Sequence, residues 1–295
     1  MKRNDFKDPF KGQRGCYHFS THHLEKQRIF RNDSDYIFGV NSLAIKLPCY
    51  DVQVLAYCMM DNHFHLLLTG MYCQCLAFYD NVVLRIAQYV KNNYGVSGIL
   101  KRGDLDIVAV QSEQQMKEEI CYIHRNPYKA RIESPLAYRW SSADVYFNSV
   151  RITGMPVGMM KNKEREKVFK THLNIPDEYE HRDGRILNVS FVAYQKVSER
   201  FRGSVEYFDI LRKYSLEAEV ESKHGIEESI VFSDSELQVK IATICKYEFN
   251  SDTLEVLDRK TLLRLARLVA MRFGARPKQL SRLLGIDKGL LERIL

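Results

Sequence analysis

The apolar positions near the amino terminus change from strand spacing to helix spacing. Residues 15–21 are typical of a strand, whereas the stretch that begins at Asp33 carries apolar residues at intervals of three and four. Such intervals place the apolar side chains on one face of a helix. Pro48 has no backbone N–H to donate, so we expect it to end this helix.

Two apolar runs come next, and together they predict a β-hairpin. Residues 52–60 and 63–69 are rich in Val, Leu, Met and aromatic residues, and an Asp-Asn pair between them is typical of a turn. Because successive side chains of a strand point to opposite faces, His63 and His65 are predicted to share one face.

The following segments continue the alternation of strands and helices. Residues 76–94 and 113–125 have apolar positions at helical spacing, and Gly95 and Pro127 come after them as stop signals. Residues 106–111 are typical of a short strand. The order strand-helix-strand-strand-helix-strand, with one more helix, predicts a ferredoxin-like α+β fold. In that fold we expect an antiparallel sheet with its helices packed on one face.

The periodicity is weaker in the second half of the chain. Residues 159–172 and 192–214 are predicted to be helical, and the acidic residues 217–235 are predicted to be partly a linker. We expect three parts in all: a domain over residues 1–150, a helical connector over 151–257 and a basic tail over 258–295.

The basic tail predicts an all-α region with a helix-turn-helix. Residues 259–273 have an amphipathic helical pattern, and two short helical patterns come after it. Pro277 suits a first helical turn, Gly285 a carboxyl-terminal cap and Asp287 an amino-terminal cap. Helix, glycine-containing turn and helix are the parts of a DNA-binding helix-turn-helix, or of a helical protein-interaction module. We expect four basic side chains to be exposed on it: Lys278, Arg282, Lys288 and Arg293.

The composition is that of a globular protein. Of the 295 residues, 45% are hydrophobic and 27% are charged. The apolar runs are too short to cross a membrane, and the first residues lack the apolar stretch of a signal peptide. The seven cysteines include no C-x-x-C pair, so we expect reduced thiols in a cytoplasmic protein with no membrane partner.

The net charge of +7 is distributed unevenly along the chain. Residues 258–295 hold ten Lys or Arg against three Asp or Glu, whereas residues 217–255 hold three against ten. The remaining basic excess lies in residues 1–216. This distribution is typical of two surfaces that face a polyanion, joined by an acidic connector.

Four residues are candidates for one chemical site. Two imidazoles on one face of a strand, from His63 and His65, can bind one divalent cation, although packed histidines bonded to the backbone are the alternative. Tyr122 and Asn126 are four residues apart, so both project from one helical face. Asn126 can supply an oxygen ligand and Tyr122 a nucleophile. His124 lies on a different face of the same helix.

Three other histidines are not expected to take part. Nothing in the sequence places His18, His22 or His23 on the face of the candidate site, so we expect them to have structural or surface roles.

The motifs that hold these residues resemble a known family. Y-C-M-M-D-N-H-F-H-L-L-L over residues 57–68 is followed by Y-I-H-R-N-P-Y-K-A-R over 122–131 and by Y-R-W-S-S over 138–142. In this order they resemble the REP-associated tyrosine transposases, members of the wider single-tyrosine HUH (His-hydrophobic-His) transposases. The resemblance covers roughly residues 15–147.

The resemblance implies a DNA-processing activity. It implies that His63 and His65 bind Mg²⁺ or Mn²⁺, that Tyr122 is the nucleophile and that Asn126 is the third metal ligand. In that family the tyrosine attacks a phosphodiester of single-stranded DNA, giving a 5′-phosphotyrosine link and a free 3′-hydroxyl, and the reverse step rejoins strands. The partner is then single-stranded hairpin DNA, with duplex DNA as a further partner of the tail.

We expect basic side chains around these motifs and in the tail to contact phosphates. The candidates are Lys101, Arg102, Arg125, Lys129, Arg131, Lys278, Arg282 and Lys288.

Two segments depart from the pattern of the family. S-T-H-H-L-E-K-Q-R over residues 20–28 stands where family members commonly have an Asn-Arg-Gly-type turn. L-K-R-G-D-L-D-I-V-A-V over residues 100–110 stands where they tend to have an aromatic and basic run. The alternative function is therefore a catalytically inactive DNA-binding regulator that uses the basic tail. A phosphodiesterase that uses water as the nucleophile is a third option.

Overall fold

The structure is a computed structural model, and it describes most of the chain. The described residues are 10, 12–21, 28–100, 105–148, 150, 152–223, 234–249, 251, 253–273 and 275–295. Within these residues, no helix is both long enough and apolar enough to span a bilayer.

A four-stranded antiparallel sheet forms the centre of the first part of the chain. Its strands are β1 (Arg14–Thr21), β2 (Val52–Met59), β3 (Phe64–Met71) and β4 (Leu105–Val110), in the order β2-β3-β1-β4. β2 and β3 form the predicted hairpin, and β1 pairs with both β3 and β4. The predicted α+β class and the antiparallel sheet are confirmed.

Three helices accompany this sheet: α1 (Asp33–Lys46), α2 (Tyr72–Tyr94) and α3 (Glu113–Lys129). The predicted end of α3 before Pro127 is wrong, because the helix runs through Pro127. A proline so close to the end of a helix removes one backbone hydrogen bond without interrupting a long helical segment.

The helices lie on both faces of the sheet, so the expectation of a single covered face is wrong. On one face, the ring of Tyr79 in α2 lies 5.3 Å from that of Phe19 and 5.9 Å from that of Phe64. The preceding residue in β1 and the following residue in β3, His18 and His65, point to the opposite face. Helix α3 packs there, since rings of both histidines contact it.

The segment after this fold adds elements that the sequence pattern did not predict. A second sheet has the order β5-β6-β7 and consists of β5 (Met155–Pro156), β6 (Glu180–Arg182) and β7 (Arg185–Ile186). The helices there are α4 (Asn162–Phe169), α5 (Tyr194–Ser198) and α6 (Ser204–Lys223). α4 lies within the predicted range 159–172, whereas the predicted range 192–214 contains α5 and only the first part of α6.

The outer edge of β2 is covered by two later segments of the chain. Cys58 bridges to Ser141, and Val54 bridges to Val192. The backbone N–H of Met59 also donates to the carbonyl of Trp140, at 2.8 Å. These bonds satisfy backbone groups that an edge strand would otherwise expose.

The packing divides the chain into two compact units. Unit 1 comprises residues 1–124 and 139–211, and unit 2 comprises residues 125–138 and 212–295. Helices α3 and α6 contribute residues to both units. These boundaries differ in position from those predicted at 150 and 257, and the three-part organisation stays a prediction.

Unit 2 contains four further helices around a core of its own: α7 (Asp234–Glu248), α8 (Arg259–Phe273), α9 (Pro277–Leu284) and α10 (Lys288–Ile294). The pattern over residues 259–273 predicted α8 correctly, and the predicted caps are also confirmed. Gly285 ends α9 with a φ of 68°, and the side chain of Asp287 accepts from the N–H of Leu290 at 2.9 Å. The helical carboxyl-terminal region is confirmed, and its DNA-binding role stays a prediction.

Arg282 is buried, so the expectation that it is exposed is wrong. Its side chain is 8% exposed, and its Nη2 donates to the Asp234 carboxylate at 3.0 Å and to the Ala130 carbonyl at 2.8 Å. Gln279 donates to the same carboxylate at 3.1 Å. A guanidinium in a helix-turn-helix pattern was predicted to face a phosphate, but here a buried carboxylate within the unit holds it.

Candidate active site

The structure brings the rings of His63 and His65 together. His63 immediately precedes β3 and His65 is the second residue of that strand. The two ring centroids are 5.1 Å apart with an interplanar angle of 86°. His65 is buried and His63 is half-buried. The H-x-H spacing predicted that the two side chains lie on one side of the chain. Helix α3 packs on that side.

Tyr122 lies against this histidine cluster. Its ring centroid is 5.8 Å from that of His65 and 5.9 Å from that of His18, and both contacts are edge-on. Tyr122 itself is half-buried. The predicted nucleophile and one predicted metal ligand are therefore neighbours, although residues 66–121 separate them in the chain.

His18 also belongs to the cluster, against the expectation from the sequence. Its Nε2 lies 3.0 Å from Nδ1 of His65. In the β1–β3 register Ser20 is opposite His65, so His18 is its diagonal neighbour on the same face. The sequence missed this contact because strand register depends on the folded sheet and cannot be read from spacing in β1 alone.

Glu119 is the second residue that the sequence analysis missed. Its Oε2 lies 2.8 Å from Nδ1 of His18. Glu119 precedes Tyr122 by three residues in α3, and residues three apart share a helical face. That spacing was a usable signal, but it acquires meaning only once His18 is known to face α3.

The ring separation of the histidine pair is compatible with a shared cation, and metal binding stays a prediction. Two imidazoles that bind one cation at ~2.1 Å have centroids about 4.5–5.5 Å apart, and the observed 5.1 Å falls in this range. Nδ1 of His63 lies 2.7 Å from the Asn62 amide oxygen, which can only accept, so this nitrogen carries the proton. Metal-binding histidines usually donate their other N–H in this way.

The described residues do not supply a complete metal site from ionisable ligands. Among them, no group of three or more His, Cys, Asp or Glu side chains is placed to hold a metal ion. A cation at His63 and His65 would need other ligands, such as amide or phosphate oxygens. Asn126, the predicted third ligand, is buried one helical turn after Tyr122 in α3. Its role as a ligand stays a prediction.

Comparison with known proteins identifies a distant structural likeness. No family model and no curated protein matches it. Among solved structures, it is similar to a REP-associated tyrosine transposase bound to a REP hairpin, with a TM-score of 0.39 and 12% sequence identity. The match covers 48% of this chain and 82% of that structure. At this level the likeness is distant and carries no conclusion about activity.

The basic side chains that were predicted to contact phosphates differ in how exposed they are. Lys129 and Lys278 are exposed, whereas Arg125 is buried. Arg131 is half-buried, and desolvation together with the charge of Arg276 lowers the pKa of its guanidinium. Lys288 is also half-buried, and its Nζ lies 3.3 Å from the Glu292 carboxylate. Lys101, Arg102, His22 and His23 lie outside the described residues.

On the side of α3 that faces away from Tyr122, side chains of α3 bind residues at the start of α6. Lys117 is 7% exposed, and its Nζ lies 3.1 Å from Glu206. His124 is fully buried, with its ring nitrogens 2.9 Å from the Tyr207 hydroxyl and 2.9 Å from the Ser142 hydroxyl. These contacts confirm that His124 lies on a different face from Tyr122. They hold the helix that carries the candidate nucleophile.

Because His124 is buried, we expect the free energy of unfolding to fall in mild acid. Burial lowers the pKa of its imidazole from 6.5 to about 3. Below pH 6.5 the unfolded chain therefore takes up a proton that the folded chain excludes. The free energy of unfolding then falls by ~1.4 kcal/mol per pH unit between about 6.5 and 3.

Urea unfolding at pH 7 and pH 5 measures this effect. The fluorescence of Trp140, the only tryptophan of the chain, reports on unit 1. We expect the wild type to lose about 2 kcal/mol more over this interval than His124→Gln, because glutamine takes up no proton. Equal losses in the two proteins would show that His124 is not excluded from protonation.

Proposed function

We propose that the protein is a metal-dependent DNA nicking and joining enzyme that acts on single-stranded hairpin DNA through Tyr122. The observation that carries this proposal is the contact between Tyr122 and the His18–His65 pair, at centroid distances of 5.9 and 5.8 Å. A half-buried phenol beside two imidazoles, one of them in an H-x-H pair, is an arrangement suited to nucleophilic attack at a bound phosphate.

The proposed reaction is a transesterification. The phenolic oxygen of Tyr122 forms a bond to phosphorus, the bond from phosphorus to the 3′-oxygen breaks, and that oxygen takes up a proton as the phenol loses one. The product is a 5′-phosphotyrosine with a free 3′-hydroxyl, and the reverse reaction rejoins the strand. A Mg²⁺ or Mn²⁺ ion bound by His63 and His65 would polarise the phosphate oxygens. Asn126 is proposed as a further oxygen ligand.

The basic surface supports DNA as the partner. The chain has a net charge of +7, and Lys129 and Lys278 are exposed candidates for phosphate contacts. The burial of Arg282 removes one of the three basic groups that were expected to contact duplex DNA from the tail. This burial weakens the alternative of a regulator that binds through that tail.

The test is the formation of a covalent adduct. Purified protein is incubated with an end-labelled single-stranded hairpin oligonucleotide and Mg²⁺ or Mn²⁺, and the products are separated on a denaturing gel. We expect a labelled band at the size of the protein plus DNA, and we expect a chelator to abolish it.

Other outcomes contradict the proposal in recognisable ways. Nicked DNA without an adduct would indicate hydrolysis by water. Site-specific duplex binding by the full chain, with no nicking of a panel of hairpins, would favour the DNA-binding regulator.

A further inference from the structure

We propose that His18 and Glu119 are positioning residues, which hold His65 in the tautomer that presents Nε2 to the catalytic cation. This inference rests on the proposed function, because it assigns His65 as a metal ligand. It adds two residues to the site, one from β1 and one from α3, and neither belongs to the H-x-H motif.

Two hydrogen-bonded contacts support the protonation that we propose for this cluster. The Glu119 carboxylate can only accept when ionised, so Nδ1 of His18 donates to it over 2.8 Å. In the arrangement that we propose His18 is neutral, so with its proton on Nδ1 it has an acceptor at Nε2. Nδ1 of His65, 3.0 Å away, is then the donor. The lone pair of His65 is then on Nε2, the nitrogen that we assign to the cation.

Burial favours one set of tautomers for these hydrogen-bonded residues. His18 is 6% exposed and His65 is 2% exposed, so water competes little for either ring. A buried donor that loses its acceptor bears the full cost of desolvation, so the alternative tautomers are disfavoured. The same arrangement, in which a ligand histidine donates its second N–H to a fixed acceptor, recurs around metal ions in proteins.

The fold fixes both positioning residues independently. β1 is an inner strand of the sheet, and His18 pairs with Leu67 on one side and with Val108 on the other. Glu119 lies in α3, one turn before Tyr122. The helix that carries the nucleophile thus also fixes the proton on the metal ligand. A displacement of α3 would disturb both groups together.

The first measurement is the tautomer of His65 in the metal-free, full-length protein. Long-range ¹H–¹⁵N spectra of protein labelled in the imidazole nitrogens distinguish a proton on Nδ1 from a proton on Nε2. We expect His65 to carry its proton on Nδ1 in the wild type and to become a mixture in Glu119→Ala. A wild-type His65 with its proton on Nε2 would overturn the inference, even if the variant did not fold.

The second measurement is Mn²⁺ affinity without DNA, followed by the paramagnetic resonance signal of free Mn²⁺. We expect Glu119→Ala to bind Mn²⁺ about 10- to 100-fold more weakly than the wild type. Glu119→Gln keeps an oxygen acceptor for His18, so we expect it to restore most of the affinity.

Glu118→Ala is the matched control. It removes an equal charge from the adjacent position of α3, where Glu118 accepts a hydrogen bond from Gln114 at the surface. We expect its affinity to stay within about twofold of the wild type, since a carboxylate at the helix surface is screened by water and salt. Equal weakening by Glu118→Ala and Glu119→Ala would show a general charge effect and overturn the inference.

These outcomes separate the inference from the proposed function. Wild-type protein that binds Mn²⁺ but forms no adduct would refute the nicking activity and leave the positioning roles intact. An adduct that forms with Mn²⁺, together with unchanged Mn²⁺ affinity in Glu119→Ala, would refute only the positioning roles. Absence of Mn²⁺ binding at millimolar concentration would refute the role of His65 as a ligand, and the inference with it.

Discussion

Replacement of Tyr122 by Phe is expected to abolish the covalent protein–DNA adduct. Phenylalanine lacks the oxygen that forms the bond to phosphorus, so we expect adduct formation to fall by at least about 10³-fold. The ring itself, which packs at 5.8 Å from His65 and 5.9 Å from His18, is retained. The measurement is the labelled protein–DNA band on a denaturing gel, followed over time with Mn²⁺ present.

Two controls show whether the loss is chemical. Tyr128→Phe removes a hydroxyl from a half-buried tyrosine of the same helix, and we expect it to form the adduct as the wild type does. Mn²⁺ affinity should be unchanged in Tyr122→Phe, because the phenol is not needed to hold the cation. An undiminished adduct in Tyr122→Phe would mean that another side chain is the nucleophile.

Replacement of Asp234 by Ala is expected to destabilise unit 2 by about 3–5 kcal/mol. The Asp234 carboxylate accepts from Nε of Arg282 at 3.1 Å, from Nη2 of Arg282 at 3.0 Å and from Gln279 at 3.1 Å. Because the Arg282 side chain is 8% exposed, its removal from this partner leaves a buried charge without its counter-ion. That cost is larger than the net contribution of the intact pair.

Hydrogen–deuterium exchange of the amides in α7, α8 and α9 measures this change within unit 2. We expect the slowest amides of these helices to exchange faster by about 100-fold or more, in proportion to the lost free energy. Glu292→Ala is the control, because it breaks the Lys288–Glu292 pair, whose glutamate is 52% exposed. Exposed pairs contribute ~0.5 kcal/mol or less, so its exchange should be nearly that of the wild type. Equal effects of the two substitutions would contradict the structural role of Arg282.

The local elements could be predicted well from the sequence, and their arrangement less well. The hairpin before and after His63 and the helices of the basic tail follow from apolar periodicity and from capping residues close in the chain. Strands β5, β6 and β7 are only two or three residues long, and so short a strand has no measurable alternation. The distribution of the helices over both faces of the sheet depends on tertiary packing, which spacing alone does not encode.

The candidate site shows the same limit. Tyr122 and Asn126 share a helical face because they are four residues apart, and His63 and His65 share a side because they are two apart. His18 and Glu119 were missed because their contact joins β1 to α3 and depends on the register of the sheet. Arg282 was misassigned because a basic residue in a helix-turn-helix pattern has the same local sequence whether it faces DNA or a buried carboxylate.

The covering of β2 by later segments has a consequence for synthesis. Tyr57 is hydrogen-bonded to Ser142 over a separation of 85 residues and to Asn188 over a separation of 131 residues. Contacts between residues so far apart in the chain form slowly, because large loops must close first. As the nascent chain leaves the ribosome, β1, β2 and β3 can pair long before residue 188 is translated. During that interval the edge of β2 is open to strands of other nascent chains, and chaperones that shield exposed strands would act at this stage.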